Sequence, residues 1–265
     1  MQKSQIVFLG SEGGRKVIAT QERATGGFVI QAGGEQIHVD PGPGAVVHAK
    51  RFDVNVKETS MVLVSHFHVD HCNDINVLAN IMTFGGKEKK GFFITGEFDN
   101  QCNLTDYYRN SVEKHVNVKQ GDKVEWKGII VRATSTQGHK IDTIGYKIFT
   151  PDFVVGYTSD TDFFPKLVDE FKGSDIMVVN TLKPKNMILK GHMNSDDVVK
   201  LLEGVKPKLA VLQHFGQSML KANPVYEARY IQKKSGVRTI AAHDGLVVDP
   251  LTYSTSLKQK TINLY

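Results

Sequence analysis

The sequence predicts one domain of mixed α/β (α+β) class over residues 1–265. Three observations carry this reading. Short, wholly apolar runs such as Met61–Val64 and Leu209–Leu212 mark buried strands, and they are interspersed with stretches whose apolar residues recur at helical spacing. The two halves of the chain each read as strands followed by helices, which is the pattern of α and β elements mixed in layers. No linker, low-complexity stretch or repeated motif divides the 265 residues, a length that one hydrophobic core can sustain.

Composition narrows the class. Apolar residues make up 40% and charged residues 23%, ordinary values for a soluble globular protein. No apolar run approaches the ~20 residues of a membrane helix. The opening run Ile6-Val7-Phe8-Leu9 is too short for a secretory signal, so a cytoplasmic protein with no membrane partner is expected. Cys72 and Cys102 are the only cysteines and form no C-x-x-C pair, which argues against a disulfide framework. Cys72 is expected to be a small buried thiol. The net charge of +5 suits an anionic substrate. The cluster Lys87-Glu88-Lys89-Lys90, after Gly85-Gly86, reads either as a solvated turn or as a phosphate-steering patch.

In chain order, Ile6–Leu9 is a first strand, and Gly13-Gly14 is a loop able to approach a site closely. Phe28–Gln31, the Gly33-Gly34 turn and Gln36–Asp40 read as a hairpin, closed by the chain-breaking Asp40-Pro41-Gly42-Pro43-Gly44. Met61–Val64 delivers Ser65-His66-Phe67-His68-Val69-Asp70-His71 as a turn. A helix is expected over 73–82, capped by Asn73, with Ile75, Leu78, Ala79 and Met82 on its buried face. Phe92–Thr95 is a strand and 106–116 a helix. Lys123–Trp126 and Ile129–Thr134 pair as a second hairpin, which runs into Thr136-Gln137-Gly138-His139 before Ile144–Ile148 returns. The run from Phe153 ends at Ser159-Asp160-Thr161, and Asp162 is expected to cap a helix from Phe163. Asp175–Asn180 is a strand, followed by Lys190-Gly191-His192-Met193, after which Asn194 or Ser195 caps a helix through Val198, Leu201 and Leu202. Leu209–Gln213 delivers His214, a helix runs over 224–234, and His243-Asp244-Gly245 interrupts a last apolar stretch.

The chemistry concentrates at His66–His71, where three imidazoles and one carboxylate fall within six residues. Such donors suit zinc and similar divalent cations. On a turn leaving a strand, His66 and His68 can serve one cation while Asp70 and His71 serve a second. The spelling H-x-H-x-D-H resembles the metallo-β-lactamase superfamily, on its RNase Z and phosphoribosyl cyclic phosphodiesterase side. The resemblance runs from Ile6 to Val248 and is sparse between motifs. It implies a four-layer αββα sandwich. It implies that His66, His68 and His139 hold one metal, that Asp70, His71 and His214 hold the other, and that Asp160 bridges them. Asp40 and Asp244 are the implied orienting carboxylates around those ligands. Gly191-His192-Met193 resembles the family's catalytic histidine motif, so His192, with Asp70, is the implied catalytic residue. His243 reads equally as a turn residue or a phosphate contact. His38, His48 and His115 fall outside every matched motif.

The implied activity is that of a dinuclear metal-dependent hydrolase. Its expected substrate is a cyclic or small nucleotide-type phosphodiester, or a short nucleic acid, attacked by a metal-bridging hydroxide. Zinc is the expected metal, with manganese or iron admitted by the same ligands. The alternatives are a lactonase or thioesterase of the same fold, and an RNase Z-like RNA endonuclease. Against the last, the long Gly- and Pro-rich arm with which RNase Z grips transfer RNA has no counterpart in the sequence. A redox member is disfavoured because the redox pattern usually has glutamate where this chain has His68. A non-catalytic nucleic-acid-binding module is disfavoured because all seven implied ligands are present. Homodimers are common in the family, and nothing in the sequence marks an interface.

Overall fold

The computed structural model describes residues 3–97 and 104–258, so Cys102 lies outside the described residues. In chain order the elements begin with β1 (Gln5–Phe8), α1 (Arg15–Thr20), β2 (Phe28–Ala32), β3 (Glu35–Val39), α2 (Ala45–Arg51) and β4 (Thr59–Val64). Next come α3 (Val69–Cys72), α4 (Ile75–Met82), β5 (Phe92–Gly96), α5 (Asp106–Ser111), β6 (Lys114–Val118), β7 (Lys123–Trp126), β8 (Ile129–Thr134) and β9 (Gly145–Phe149). The remainder are β10 (Val154–Tyr157), α6 (Pro165–Phe171), β11 (Ile176–Asn180), α7 (Ser195–Val205), β12 (Leu209–Gln213), α8 (Gln217–Ala222), α9 (Pro224–Ser235), β13 (Thr239–Ala241), β14 (Leu246–Val248) and β15 (Thr255–Leu257).

The chain forms two compact units. The first comprises the described residues of Met1–Gly10, Arg23–Asn117 and His243–Tyr265. It holds an eight-stranded sheet in the order β15-β14-β1-β2-β3-β4-β5-β6. The β3–β4 and β4–β5 pairs are parallel, and every residue of β4 is buried, as expected of a parallel strand covered on both faces. One core cluster joins Val62 and Val64 of β4 and Phe93 of β5 to Ile75, Leu78, Ala79 and Met82 of α4. Those α4 residues are the face that helical spacing predicts. Cys72 is buried in the same cluster.

The second unit comprises Ser11–Glu22 and Val118–Ala242. Its seven-stranded sheet has the order β13-β12-β11-β10-β9-β8-β7, parallel from β10 to β13 and antiparallel from β7 to β10. Met177 and Val179 of β11 and Ala210 and Leu212 of β12 pack with Leu201 and Leu202 of α7 and Ile231 of α9. Asn194 caps α7 in a reciprocal capping box with Asp197. Among the described residues no helix is long and apolar enough to cross a membrane.

Three local expectations are corrected. The stretch read as a helix over 106–116 splits into α5 and β6, because Lys114-His115-Val116-Asn117-Val118 alternates and takes the edge of the first sheet, where Thr95 Oγ1 meets the side chains of His115 and Asn117. Asn73 does not open a helix. It closes the single turn α3, and α4 starts after Asp74. Asp162 does not cap α6, whose N-cap position is Phe164 and whose first turn carries Pro165. The Asp162 carboxylate instead accepts from the Gly191 amide at 2.6 Å.

Candidate functional site

In the first unit the end of β4 meets the loop that follows β3. Asp40 is buried and stands at φ +50°, a left-handed conformation that non-glycine residues seldom adopt. Its Oδ1 accepts the Ser65 amide at 2.7 Å, and its Oδ2 accepts both the Ser65 hydroxyl at 2.6 Å and His71 Nδ1–H at 2.8 Å. These bonds assign tautomers. With Nδ1–H committed to Asp40, the lone pair of His71 lies on Nε2. The one hydroxyl proton of Ser65 goes to Asp40, so Ser65 Oγ, 3.1 Å from His66 Nδ1, accepts from that nitrogen. His66 therefore also offers Nε2.

His66 Nε2 and His68 Nδ1 stand 3.0 Å apart, close to the ~3.3 Å between two imidazole ligands of one tetrahedral cation. Asp70 Oδ2 lies 3.7 Å from His71 Nε2. The stretch expected as an open turn is in fact the one-turn helix α3, with His68 at its N-cap position. The glycine of Asp40-Pro41-Gly42 has a specific use. A Cβ on Gly42 would fall 2.1 Å from the Asp70 carbonyl oxygen, so a residue without a side chain lets the two loops touch. Burial pushes the neighbouring His38 imidazole down to about 4 against the opposing pull of the Gly26 carbonyl, which lies 2.8 Å from Nε2.

In the second unit three strand ends and the loop before α7 contribute. Asp160 follows β10 and is buried. The Asn180 amide Nδ2 donates to Asp160 Oδ1 at 2.8 Å, and Gln213 Nε2 donates to Asn180 Oδ1 at 3.0 Å. His214 follows β12 at φ +63°, and its Nδ1 lies 3.4 Å from Asp160 Oδ1. His192 Nδ1 lies 3.6 Å from Asp160 Oδ2. Asp160, His192 and His214 each present a donor atom within 4.8 Å of the others. The rings of His139 and His192 meet edge to face at 5.0 Å.

The peptide of Gly191 ties two of these residues together. Its carbonyl lies 3.3 Å from His139 Nδ1 while its amide donates to Asp162. Gly191 stands at φ +82°, and a Cβ there would meet His139 Cα at 2.7 Å. Gly13 approaches His214 as closely, since a Cβ would fall 2.3 Å from the His214 carbonyl oxygen.

The remaining sequence candidates sit as follows. Asp244 Oδ2 accepts the Ala24 amide at 2.8 Å, and Arg23 donates to His243 Nδ1 at 2.8 Å. Lys87 stacks over the Phe84 ring, while Lys89 and Lys90 donate to the backbone carbonyls of Asn110 and Lys57. Sequence reasoning missed Ser65, Asn180 and Gln213. The missed signal is a polar residue closing a wholly buried strand: Asn180 and Gln213 end β11 and β12 directly opposite each other.

A family model described as "Beta-lactamase superfamily domain" matches residues 35–215. Over 255 residues the chain is 34% identical to an uncharacterized protein of Methanocaldococcus jannaschii, covering 93% of this chain and 95% of that one. It is 32% identical over 149 residues to ribonuclease Z of Methanosarcina acetivorans, covering 54% of this chain and 48% of the ribonuclease, so the match spans about half of that enzyme. Among solved structures, the metallo-β-lactamase fold protein YhfI from Bacillus subtilis superposes with a TM-score of 0.78 at 17% identity, over 93% of this chain and 99% of that one.

Proposed function

The chain belongs to the β-lactamase superfamily and has the metallo-β-lactamase α/β fold, and from that premise we propose that it is a dinuclear metal-dependent phosphodiesterase. In this proposal residues 1–265 act as one functional domain. His66, His68 and His139 hold one divalent cation, Asp70, His71 and His214 hold a second, and Asp160 joins them. The donor chemistry of each unit supports this. His66 and His71 each offer an Nε2 lone pair, because their other ring nitrogens donate to Ser65 and Asp40. Imidazole and carboxylate donors favour zinc and admit manganese or iron. When bound, such cations supply a nucleophilic water near neutral pH and neutralise charge developing on phosphoryl oxygens.

The observation that carries the phosphodiester reading is the position of His192. It stands beside Asp160 on a loop fixed at Gly191, and the seven-ligand set assigns it no cation. An imidazole so placed is suited to give a proton to the departing oxygen, which a phosphodiester needs more than a lactone or thioester does. Asp70, the second residue to which catalysis is assigned, presents a carboxylate oxygen 3.7 Å from His71 Nε2. The net charge of +5 favours small anionic phosphodiesters, cyclic or nucleotide-type. The similarity to ribonuclease Z supports a second reading, an RNA endonuclease acting without a transfer-RNA-gripping arm.

Initial rates on bis(p-nitrophenyl) phosphate, with protein reloaded with zinc or with manganese, test the proposal. Metal-dependent turnover is expected, and His192→Ala is expected to lower kcat by roughly 100-fold on cyclic and dinucleotide substrates, whose alkoxide needs a proton to leave, and far less on the nitrophenyl ester, while two metals per chain remain. Unchanged turnover of the cyclic and dinucleotide substrates, or loss of metal in that variant, removes the assignment of His192. No turnover in protein holding both metals moves the function to lactones or thioesters. Cleavage of a transfer-RNA precursor in preference to cyclic and dinucleotide substrates selects the endonuclease.

A further inference from the structure

We propose that Asn180, backed by Gln213, is a positioning residue that fixes the orientation of the Asp160 carboxylate. This rests on the dinuclear reading above and concerns residues of the second unit only. Asp160, Asn180 and Gln213 are all at least nine-tenths buried, so no solvent competes for their polar atoms. Asn180 Nδ2 reaches Asp160 Oδ1 at 2.8 Å and the Tyr157 hydroxyl at 3.3 Å, while its Oδ1 accepts from Gln213 at 3.0 Å. Its backbone amide is also held, by Thr158 Oγ1 at 3.1 Å.

Every polar atom of the Asn180 side chain is thus engaged, and its orientation is forced. Flipping the amide would aim a carbonyl oxygen at a carboxylate and an NH2 group at the NH2 group of Gln213. The consequence for Asp160 is a fixed carboxylate plane, with Oδ1 held by the amide donor and 3.4 Å from His214 Nδ1, and Oδ2 3.6 Å from His192 Nδ1.

The choice of an amide is chemically specific. A lysine or a protonated histidine in its place would orient Asp160 by neutralising it, and so weaken its hold on a cation. Asn180 orients the carboxylate without adding charge. Gln213 keeps the amide from turning, so it acts one step further back. The registry supports design over coincidence, because Asn180 and Gln213 close adjacent parallel strands as direct partners.

The test uses the full chain, stripped of metal and titrated with Co2+ against a competing chelator. Bound stoichiometry, affinity and the visible d–d absorption are read together. Wild type is expected to take up two Co2+ per chain. Asn180→Leu, nearly isosteric but unable to donate, is expected to weaken Co2+ binding by roughly 10- to 100-fold and to change the shape of the d–d bands at saturation. Gln213→Met is expected to produce the same band change with a smaller loss of affinity, and it carries the test if Asn180→Leu fails to fold. A purely structural role lowers the unfolding temperature and leaves the spectrum of the saturated protein as in wild type. Unchanged spectra and affinities in folded variants, beside a wild type that binds two Co2+, overturn this inference and leave the dinuclear reading standing. A wild type that binds no Co2+ overturns both.

Discussion

The histidine- and aspartate-bearing ends of the two units are built on different plans. In the first, His66, His68, Asp70 and His71 arrive in one short stretch, and a single carboxylate, Asp40, holds both Ser65 at its head and His71 at its end. In the second, His139, Asp160 and His214 follow three separate strands and His192 lies on the loop before α7, and their support comes from several residues: the Gly191 peptide, itself held by Asp162, the Asn180 amide and, behind it, Gln213. One plan concentrates its support in a single residue. The other spreads it over several. A concentrated support should fail all at once, whereas a distributed one should fail by degrees.

Asp40→Ala should therefore produce the largest effect. It leaves the Ser65 amide, the Ser65 hydroxyl and His71 Nδ1–H without their buried acceptor. A loss of ~3 kcal/mol in stability and roughly 100-fold in metal affinity is expected. Urea unfolding and chelator competition measure the two. Gly191→Ala should act more gently on the second unit. The new methyl group must displace His139 and the His192 loop by a fraction of an ångström, because Cβ would otherwise sit 2.7 Å from His139 Cα. About a tenfold fall in kcat is expected with both metals retained. If Gly191→Ala strips the metals as thoroughly as Asp40→Ala, the contrast between the units is broken.

The smallest effect is on pH dependence, and it sharpens the same contrast. Burial pushes His38 down to about 4, whereas an unfolded imidazole titrates near ~6.5. Below ~6.5 the unfolded chain takes up a proton that the fold refuses until about 4. Stability is therefore complete above that window and is lost as pH falls through it. Between pH ~7.5 and ~5.5 this amounts to about 1 kcal/mol. Hydrogen-exchange protection factors in β2 and β3 should fall on acidification before those in β11 and β12, where Asn180 and Gln213 do not titrate. His38→Gln should flatten the dependence, and equal acid sensitivity in both sheets would count against it.

The same two plans explain what could be read from the sequence. The contiguous set announces itself, since H-x-H-x-D-H after an apolar run is dense in donors, and its carboxylate follows the preceding strand at Asp40. The dispersed set is legible only as single residues, each near the end of an apolar run, and it is the resemblance to the family's motifs at those positions that singled out His139, Asp160 and His214. What orients them was not legible. Nothing local marks Asn180 or Gln213 as partners, because their pairing depends on β11 and β12 lying side by side. Asp162 was misread for a related reason. An aspartate before Phe163-Phe164-Pro165 has the spacing of a helix cap, and only the return of the chain at Gly191 gives its carboxylate a nearer donor. The split of 106–116 into α5 and β6 was hidden because a sheet edge, formed by distant strands, decides it.

The interleaving of the two units bears on how the chain is made. β1 pairs with β2 on one side and with β14 on the other. As the chain emerges from the ribosome, β2 is available almost at once, but β14 (Leu246–Val248) follows only after the whole of the second unit, which closes at Ala242. Throughout that interval β1, whose Ile6, Val7 and Phe8 are fully buried in the finished protein, presents an open hydrogen-bonding edge. A nascent chain stalled or cut before Val248 is thus left with an apolar strand that any passing β-segment can extend. β14 acts as a seal, applied only after the second unit has been made.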